Sequence, residues 1–318
     1  MAVYTPVSAE ALSDFLARYD VGDLVSAKGI AEGVENSNYL VETTRGRFIL
    51  TLYEKRVREE DLPFFLALTD HLAAKRLPVP PAIRDRDGGA IQSLCGRPAC
   101  LITFLPGVSL STPTPAKARA AGVALGRMHA ALADFAPRRA NSMGVDSWAP
   151  LLARCGDGLE MIAPGLGRDL AAKLDAVLAA WPAPQALPEG AIHADLFPDN
   201  VLMLGDRVTG LIDFYFACTD IRAYDLAVMH SAWTFDARGA RHDAAIGRAL
   251  IEGYRSIVAL SDAELAALPV LARGACLRFA LSRAWDWLNT PADALVTRKD
   301  PLAYLRRYPH YARDDAFA

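Results

Sequence analysis

The sequence lacks the features that mark secreted, zinc-binding and membrane proteins. Its five cysteines are scattered, odd in number and without Cys-x-x-Cys or Cys/His spacing, which argues against a disulfide scaffold and a structural zinc site. No uninterrupted apolar run approaches the ~20 residues of a membrane helix. Residues 1–20 carry acidic groups and no apolar core of a secretory signal. These absences predict a cytoplasmic protein with free thiols and no membrane contact.

A charge excess of one sign is also missing. With 34 basic and 37 acidic residues the net charge is −3, which does not favour a nucleic-acid partner. The composition, 52% hydrophobic and 22% charged, is ordinary for a globular protein. For 318 residues we expect about two domains. We also expect a monomer or a weak homodimer.

Hydrophobic periodicity divides the chain near residue 105. Before it, a hairpin at residues 37–54 that turns at Arg45-Gly46 and a helix at about residues 61–76 predict an α+β region. After Pro106-Gly107 the sequence becomes rich in Ala and Leu at helical spacing, beginning at Thr114 as a helix N-cap. In this first helix we interpret His129 as a core residue. Further helices are predicted at about residues 167–180, 223–232, 243–258, 262–272 and 274–288.

The stretch HADLFPDNVLMLGDRVTGLIDF, residues 193–214, combines a polar loop with a predicted hairpin. The loop ends at Asn200, just before the first strand, and Asp213 stands at the end of the second strand. Since the two ends of a hairpin lie side by side, the pattern should bring Asp195, Asn200 and Asp213 close together. Asp and Asn are common turn formers, which explains PDN alone but not the whole ordered set.

This set of side chains suits phosphoryl transfer. Carboxylate and amide oxygens are ligands that Mg²⁺ accepts, and a remaining carboxylate can take the proton of a substrate hydroxyl. Protein kinases place a catalytic Asp five positions before a metal-binding Asn, with a second metal-binding Asp on the following strand. Asp195 and Asn200 have this spacing, and Asp213 follows on the next predicted strand.

Together with YDLAV at residues 224–228, these stretches resemble the aminoglycoside phosphotransferase and choline kinase superfamily, which is protein-kinase-like. The resemblance implies an α+β fold of two lobes with an ATP cleft between them. Residues 1–105 would form the N-terminal nucleotide-binding lobe with an antiparallel sheet. Residues 106–318 would form a larger, mainly helical lobe with the catalytic loop and the substrate site.

The resemblance also implies roles for the loop residues and two cofactors, ATP and Mg²⁺. Asp195 would be the catalytic base. Asn200 and Asp213 would hold the metal ion. His193 and Asp225 would brace the catalytic loop.

ATP contacts are implied at two further places. LITFLPG would be the hinge between the lobes, where the backbone groups of Thr103, Phe104 and Leu105 pair with adenine. The superfamily has a phosphate-binding lysine on the strand RFILTLYE, but Thr51 occupies that position. Lys55 or Arg56, or the loop at residues 29–39, would then replace it.

Within the superfamily, the stretches GVENSNYLVET, RFILTLYEKR, DLPFFL and LIDFYFACTD resemble the bacterial homoserine kinase family. This resemblance implies transfer of the ATP γ-phosphate to the side-chain hydroxyl of L-homoserine, giving O-phospho-L-homoserine in threonine biosynthesis. Alternatives are a kinase for another small alcohol, such as an aminoglycoside, choline or methylthioribose, and a non-catalytic pseudokinase that serves as a scaffold.

An amino-acid substrate needs a cation for its carboxylate. Arg283, on the predicted last long helix, is our candidate for this clamp, because a guanidinium binds a carboxylate through two parallel hydrogen bonds. A surface ion pair with Asp286 is the alternative interpretation. Other candidates for substrate contacts are Arg278, Asn36, Ser37 and Asn38.

Overall fold

The computed structural model of the protein describes residues 5–30, 36–54, 57–290, 298–313 and 315–317. The described residues divide into two compact units, of which the first extends to Pro106 and the second begins at Gly107. The first unit combines two helices with one sheet, and the second is mainly helical with two small sheets.

The first unit is built on a five-stranded sheet in the order β1-β2-β3-β5-β4, in which all neighbours are antiparallel. Its elements are α1 (Ala9–Leu16), β1 (Leu24–Gly29), β2 (Asn36–Thr43), β3 (Gly46–Tyr53), α2 (Leu62–Ala74), β4 (Gln92–Leu94) and β5 (Arg97–Thr103). The predicted hairpin is therefore confirmed as β2 and β3, with Gly46 at φ 154° directly after the turn. β5 ends at Thr103, before the Phe-Leu-Pro-Gly that follows.

The core of the first unit lies between α1 and one face of this sheet. Because side chains of a strand alternate between faces, every second residue of β2, β3 and β5 reaches the helix. The members of this cluster are Leu12, Phe15, Leu16, Tyr19, Val21, Tyr39, Val41, Leu50, Leu52, Leu94, Ala99 and Leu101. The helix begins at Ser8, whose hydroxyl accepts a hydrogen bond from the N–H of Ala11 as an N-cap.

Helices dominate the second unit. They are α3 (Pro115–Ala131), α4 (Val145–Cys155), α5 (Leu159–Ile162), α6 (Leu166–Ala180), α7 (Arg222–Trp233), α8 (Ala244–Arg255), α9 (Asp262–Asn289) and α10 (Leu302–Arg307). The strands are β6 (Val108–Ser109), β7 (Glu189–Ile192), β8 (Val201–Leu204), β9 (Arg207–Leu211) and β10 (Cys218–Ile221). Thr114 caps α3 as predicted, accepting from the N–H of Lys117.

One prediction about the helices was wrong. The two helices predicted at residues 262–272 and 274–288 are one continuous helix of 28 residues, α9. Gly274 does not end it, because the missing side chain makes room for aromatic rings instead. A Cβ there would lie 2.3 Å from the ring of Trp181 and 2.7 Å from that of Trp148.

α9 is also long and apolar enough to cross a membrane, by length and composition alone, with a mean hydropathy of 1.4 in its most apolar window. The sequence prediction missed this because arginines interrupt the apolar run. In the structure 72% of that window is buried inside the protein. This burial is what a core helix of a globular fold shows.

All five cysteines are free, and Cys95 is exposed whereas the other four are buried. Cys95 and Gly96 form the turn between β4 and β5, with φ values of 52° and 72°. Positive φ at both residues is typical of a two-residue type I′ hairpin turn.

Candidate active site

The predicted catalytic loop connects β7 to β8 and brings its polar residues together as expected. Asn200 donates from Nδ2 to the carbonyl oxygen of Asp195 at 2.8 Å and lies 3.5 Å from that residue's Oδ2. The N–H of Ile212 donates to the carbonyl oxygen of Asn200 at 3.1 Å, which places the next residue, Asp213, beside the loop. The hairpin of β8 and β9 therefore brings Asp195, Asn200 and Asp213 close together.

Asp213 lies two residues after the end of β9, in the left-handed region at φ 65° and ψ 58°. Few residues other than glycine adopt this conformation, and it is concentrated at functional sites. Asn200 uses its amide nitrogen for Asp195, and among the described residues no hydrogen bond engages its Oδ1. An amide oxygen and a neighbouring carboxylate fit Mg²⁺, which takes few protein ligands and completes its shell with phosphate and water.

His193 links the two sides of this site. Its Nε2 donates to the carbonyl oxygen of Ile212 at 3.0 Å, and its Nδ1 accepts the N–H of Asp195 at 3.3 Å. One donor and one acceptor nitrogen define a neutral imidazole. Complete burial agrees with this, because it lowers the pKa of His193 despite the nearby carboxylates. The ring packs on Phe214 at 4.6 Å between centroids.

Asp225, on α7, holds the start of the loop. Its buried carboxylate accepts the backbone N–H groups of His193 and Ala194, each at 2.8 Å, and Nε2 of His129 at 3.0 Å. Burial alone would raise the pKa of Asp225. The hydrogen bonds from the His129 side chain and from the backbone N–H of His193, with the electrostatic effects of both residues, together outweigh burial, so the pKa lies below its usual value. The carboxylate therefore stays ionised.

His129 is a site-supporting residue that the sequence prediction missed. It is fully inside the protein, as predicted for a core residue, but it joins Asp225 to the hydroxyl of Tyr254 on α8, 2.9 Å from its Nδ1. Helical periodicity shows that a residue faces inward and does not show what it meets there.

Asp195 lies in a nearly closed and positively charged environment, with 14% of its side chain exposed. Burial raises the pKa of this carboxyl. Arg278 opposes the rise most strongly, followed by His193 and Lys299, and Asp199 adds a smaller effect in the other direction. Nη2 of Arg278 is 3.9 Å from Oδ1 of Asp195. Lys299 was not among the predicted site residues.

Three aromatic rings in mutual contact form a floor next to this loop. Phe279 lies 4.9 Å from Phe197 and 4.8 Å from Tyr304, measured between ring centroids. Two of the cations that lie over these rings are Arg283, 4.6 Å from the centre of Tyr304, and Lys299, 5.9 Å from that of Phe197. We call these five residues the aromatic–cation cluster.

Arg283 is partly buried, and burial lowers the pKa of its guanidinium. Its Nη1 donates to the carbonyl oxygen of Asp300 at 3.4 Å. The carboxylates of Asp195 and Asp300 also act on the guanidinium. A cation that is partly removed from water favours an anionic ligand.

In the first unit, four predicted ligand residues form hydrogen bonds within the sheet or to Glu54 directly after it: Asn36, Ser37, Asn38 and Thr51. Thr51, 2% exposed, donates its hydroxyl to Oδ1 of Asn38 at 2.8 Å. Ser37, fully buried, donates to the carboxylate of Glu54 at 2.8 Å. Oδ1 of Asn36 accepts the N–H of Glu54 at 3.4 Å. Glu54, which the sequence prediction did not include, is thus the centre of this group.

Two predicted phosphate-binding residues, Lys55 and Arg56, lie outside the described residues, as does the loop segment 31–35. At the predicted hinge, Thr103 is the last paired residue of β5, and both its N–H and its hydroxyl donate to the carbonyl oxygen of Pro81 at 3.1 Å. Phe104 and Leu105 follow outside the sheet. Arg47 stacks on the ring of Phe104 at 4.4 Å.

Comparison with known proteins identifies close relatives over nearly the whole chain. Homoserine kinase from Acidiphilium cryptum (strain JF-5) is 56% identical over 307 residues, covering 96% of this chain and 95% of that protein. Homoserine kinase from Xanthobacter autotrophicus (strain ATCC BAA-1158 / Py2) is 53% identical over 317 residues, covering 99% of this chain and 98% of that protein.

Solved structures confirm the predicted fold class. An amicoumacin kinase in complex with AMP-PNP, Ca²⁺ and Ami superposes with a TM-score of 0.70 at 15% identity, covering 96% of this chain and 93% of that one. A microcompartment-associated aminopropanol kinase gives a TM-score of 0.66 at 20% identity, covering 98% and 99%. The profile of the phosphotransferase enzyme family matches residues 26–260. The chain therefore belongs to the phosphotransferase enzyme family.

Proposed function

We propose that the protein is a homoserine kinase, which transfers the γ-phosphate of ATP to the side-chain hydroxyl of L-homoserine in the cytoplasm. The observation that carries the proposal is the union of Asp195, Asn200 and Asp213 on one loop and hairpin. It stands in a chain that is 53–56% identical to curated homoserine kinases over nearly its full length.

Asp195 is the proposed catalytic base. The substrate hydroxyl oxygen bonds to the γ-phosphorus while the bond from that phosphorus to the ADP oxygen breaks, and the hydroxyl proton passes to the carboxylate of Asp195. Asn200 and Asp213 hold Mg²⁺, which neutralises phosphate charge when bound. His193 and Asp225 keep the loop in place through the hydrogen bonds described above.

For ATP, we propose that the backbones of Thr103, Phe104 and Leu105 contact the adenine. Phe104 and Leu105 supply most of this contact, since the N–H of Thr103 is engaged with Pro81. The hydroxyl of Thr51 is also engaged, by Asn38, and it carries no charge. Lys55 therefore supplies the positive charge on the phosphates.

The charges near Asp195 favour homoserine over the alternative substrates. Arg278 and Lys299 act on Asp195 more strongly than Asp199 does. Arg283, in the aromatic–cation cluster, is a third cation near this site. Aminoglycosides and choline are cations, which such a site repels. Homoserine carries a carboxylate, for which Arg283 is the proposed clamp. Asn36, Ser37 and Asn38 are weaker candidates for substrate contact, because two of them are buried around Glu54.

ADP release by purified protein tests the proposal with a panel of homoserine, serine, threonine, choline and kanamycin. We expect homoserine to give a kcat/KM at least about 100-fold above choline and kanamycin, because a site that pairs with a carboxylate rejects ligands lacking it. Serine and threonine have the carboxylate, but their hydroxyl is one carbon closer to it and falls short of Asp195, so their kcat/KM should also be lower. Asp195→Asn, at about 10²–10⁴-fold lower kcat, controls for a contaminating kinase. Preference for choline or kanamycin would contradict the assignment. Absence of ADP release with every acceptor would favour a pseudokinase.

A further inference from the structure

Arg278 lies in the middle of α9 and is 2% exposed. A guanidinium stays protonated at every physiological pH. Moving such a charge out of water carries a large penalty unless hydrogen bonds and opposite charge compensate it. The partners of this side chain therefore show why the fold retains a buried cation.

The guanidinium of Arg278 lies beside two successive residues of the catalytic loop. Nη1 donates to the carbonyl oxygen of Ala194, and Nη2 lies 3.9 Å from Oδ1 of Asp195. The guanidinium also packs 4.4 Å from the centre of the Phe279 ring and 5.4 Å from that of Phe216. Nε is buried and has no partner among the described residues. The two terminal nitrogens of Arg278 therefore make the contacts with the loop.

The backbone at Ala194 explains why the loop needs this contact. Ala194 has φ 64°, a left-handed conformation that costs an alanine roughly 1–2 kcal/mol. Charged side chains form hydrogen bonds with the peptide groups on both sides of Ala194. The N–H of Ala194 donates to Asp225 on α7 at 2.8 Å, and its carbonyl oxygen accepts from Arg278 on α9. This bend fixes the direction in which the next residue, Asp195, leaves the loop.

We propose that Arg278 is a positioning residue for the catalytic base: it holds the Ala194 bend and so fixes the direction in which Asp195 leaves the loop. This inference rests on the proposed role of Asp195. It also removes Arg278 from the candidates for the substrate clamp, because its terminal nitrogens are directed at the loop and its side chain is buried.

Steady-state kinetics of Arg278→Met and Arg278→Lys test the proposal, with Arg273→Met as the matched control on the same helix. For Arg278→Met we expect kcat to fall about tenfold or more, the change that 1.36 kcal/mol produces, with KM for ATP nearly unchanged. Arg278→Lys keeps the charge but has a single terminal nitrogen, so it should restore only part of the lost kcat. Arg273→Met should leave both kcat and KM for ATP unchanged.

The assay uses the acceptor that wild type phosphorylates best, so a failure of homoserine as substrate does not decide the role of Arg278. An unchanged kcat in Arg278→Met would overturn the proposal. So would a fall in kcat accompanied by an equally large rise in KM for ATP, since that is the result of a merely structural role. If Arg278→Met does not fold, Arg278→Lys decides: a wild-type kcat in that variant contradicts positioning by the two-nitrogen contact.

Discussion

Asp225 shapes the candidate site without being a substrate ligand. Three donors converge on its carboxylate, two of them from the backbone of the catalytic loop. The pKa of Asp225 lies below its usual value, so the anchor stays charged throughout the range in which the enzyme works. Asp195 has the opposite shift, because burial dominates there. Two carboxyls within one loop system are thus given different tasks by their surroundings.

At the same scale, Arg283→Lys tests the proposed carboxylate clamp. The ammonium of lysine is a single charged donor and cannot form the two parallel bonds of a guanidinium. We expect kcat/KM for homoserine to fall about tenfold, and KM for ATP and the melting temperature to stay near wild type. Normal homoserine kinetics in the variant would move the clamp to Lys299, the other cation of the cluster. Lys299→Met provides the matched comparison.

At the scale of elements, α3 and α8 lie so close together that two positions between them have room only for glycine. A Cβ on Gly122 of α3 would lie 2.2 Å from the carbonyl oxygen of Leu250, and one on Gly253 of α8 would lie 2.2 Å from that of Arg119. The two helices therefore touch through their backbones. His129 of α3 and Tyr254 of α8 bond across the same contact, and His129 in turn supports Asp225.

Gly253→Ala should consequently destabilise the protein. The added methyl has to push one helix backbone away, and overpacking of this kind typically costs about 1–3 kcal/mol of unfolding free energy. Urea denaturation measures the change. Gly167→Ala on α6 is the control, because its Cβ would meet Leu159 at an ordinary 3.7 Å. Equal stability of the two variants would show that α3 and α8 can separate without loss.

The elements that sequence patterns predicted correctly have signals within a few residues of each other. The β2–β3 hairpin follows from alternation and a turn, the start of α3 from Thr114-Pro115, and the catalytic loop from its Asp-Asn spacing. The sequence could not show that α9 continues through Gly274. The two tryptophans that occupy the space beside this glycine are far from it along the chain.

The same limit applied to the candidate site. His129 contacts Asp225, 96 positions away along the chain, and Arg278 contacts Ala194 of the catalytic loop, 84 positions away. The periodicity of a single helix could not predict either contact. Ser37 was predicted as a ligand residue because it is polar, whereas in the structure it faces Glu54 inside the first unit. The position of a polar residue along a strand does not show which other residue it forms a hydrogen bond with.

On the scale of the whole molecule, three histidines connect the C-terminal segment to the helical unit. The ring of His242 stacks on that of His310 at 3.8 Å and lies 5.8 Å from that of His230, whose Nδ1 bonds to the hydroxyl of Tyr311 at 2.8 Å. Burial lowers the pKa of all three, to about 4 for His242. The charged groups that act on His242 are Asp243, Arg313 and Asp315, together with His310.

These lowered pKa values make folding sensitive to mild acid. Between pH 6.5 and about 4 the unfolded chain binds protons that the folded His242 does not, so stability is present above pH 6.5 and is lost as the pH falls towards 4. His242→Phe keeps an aromatic ring without the titration. We expect its melting temperature to fall less than that of wild type between pH 7 and pH 5, by about 2–4 °C. Parallel melting curves would contradict this origin of acid sensitivity.

The distribution of thiols over the molecule has a practical consequence. Burial raises the pKa of the buried thiols, to about 11 for Cys100 and about 12 for Cys276, so they are poor nucleophiles behind a closed surface. Cys95 is exposed at the tip of the β4–β5 hairpin turn in the first unit. A maleimide fluorophore should therefore attach at this one site in the unaltered protein. The native chain thus carries its own handle for following ATP binding by fluorescence.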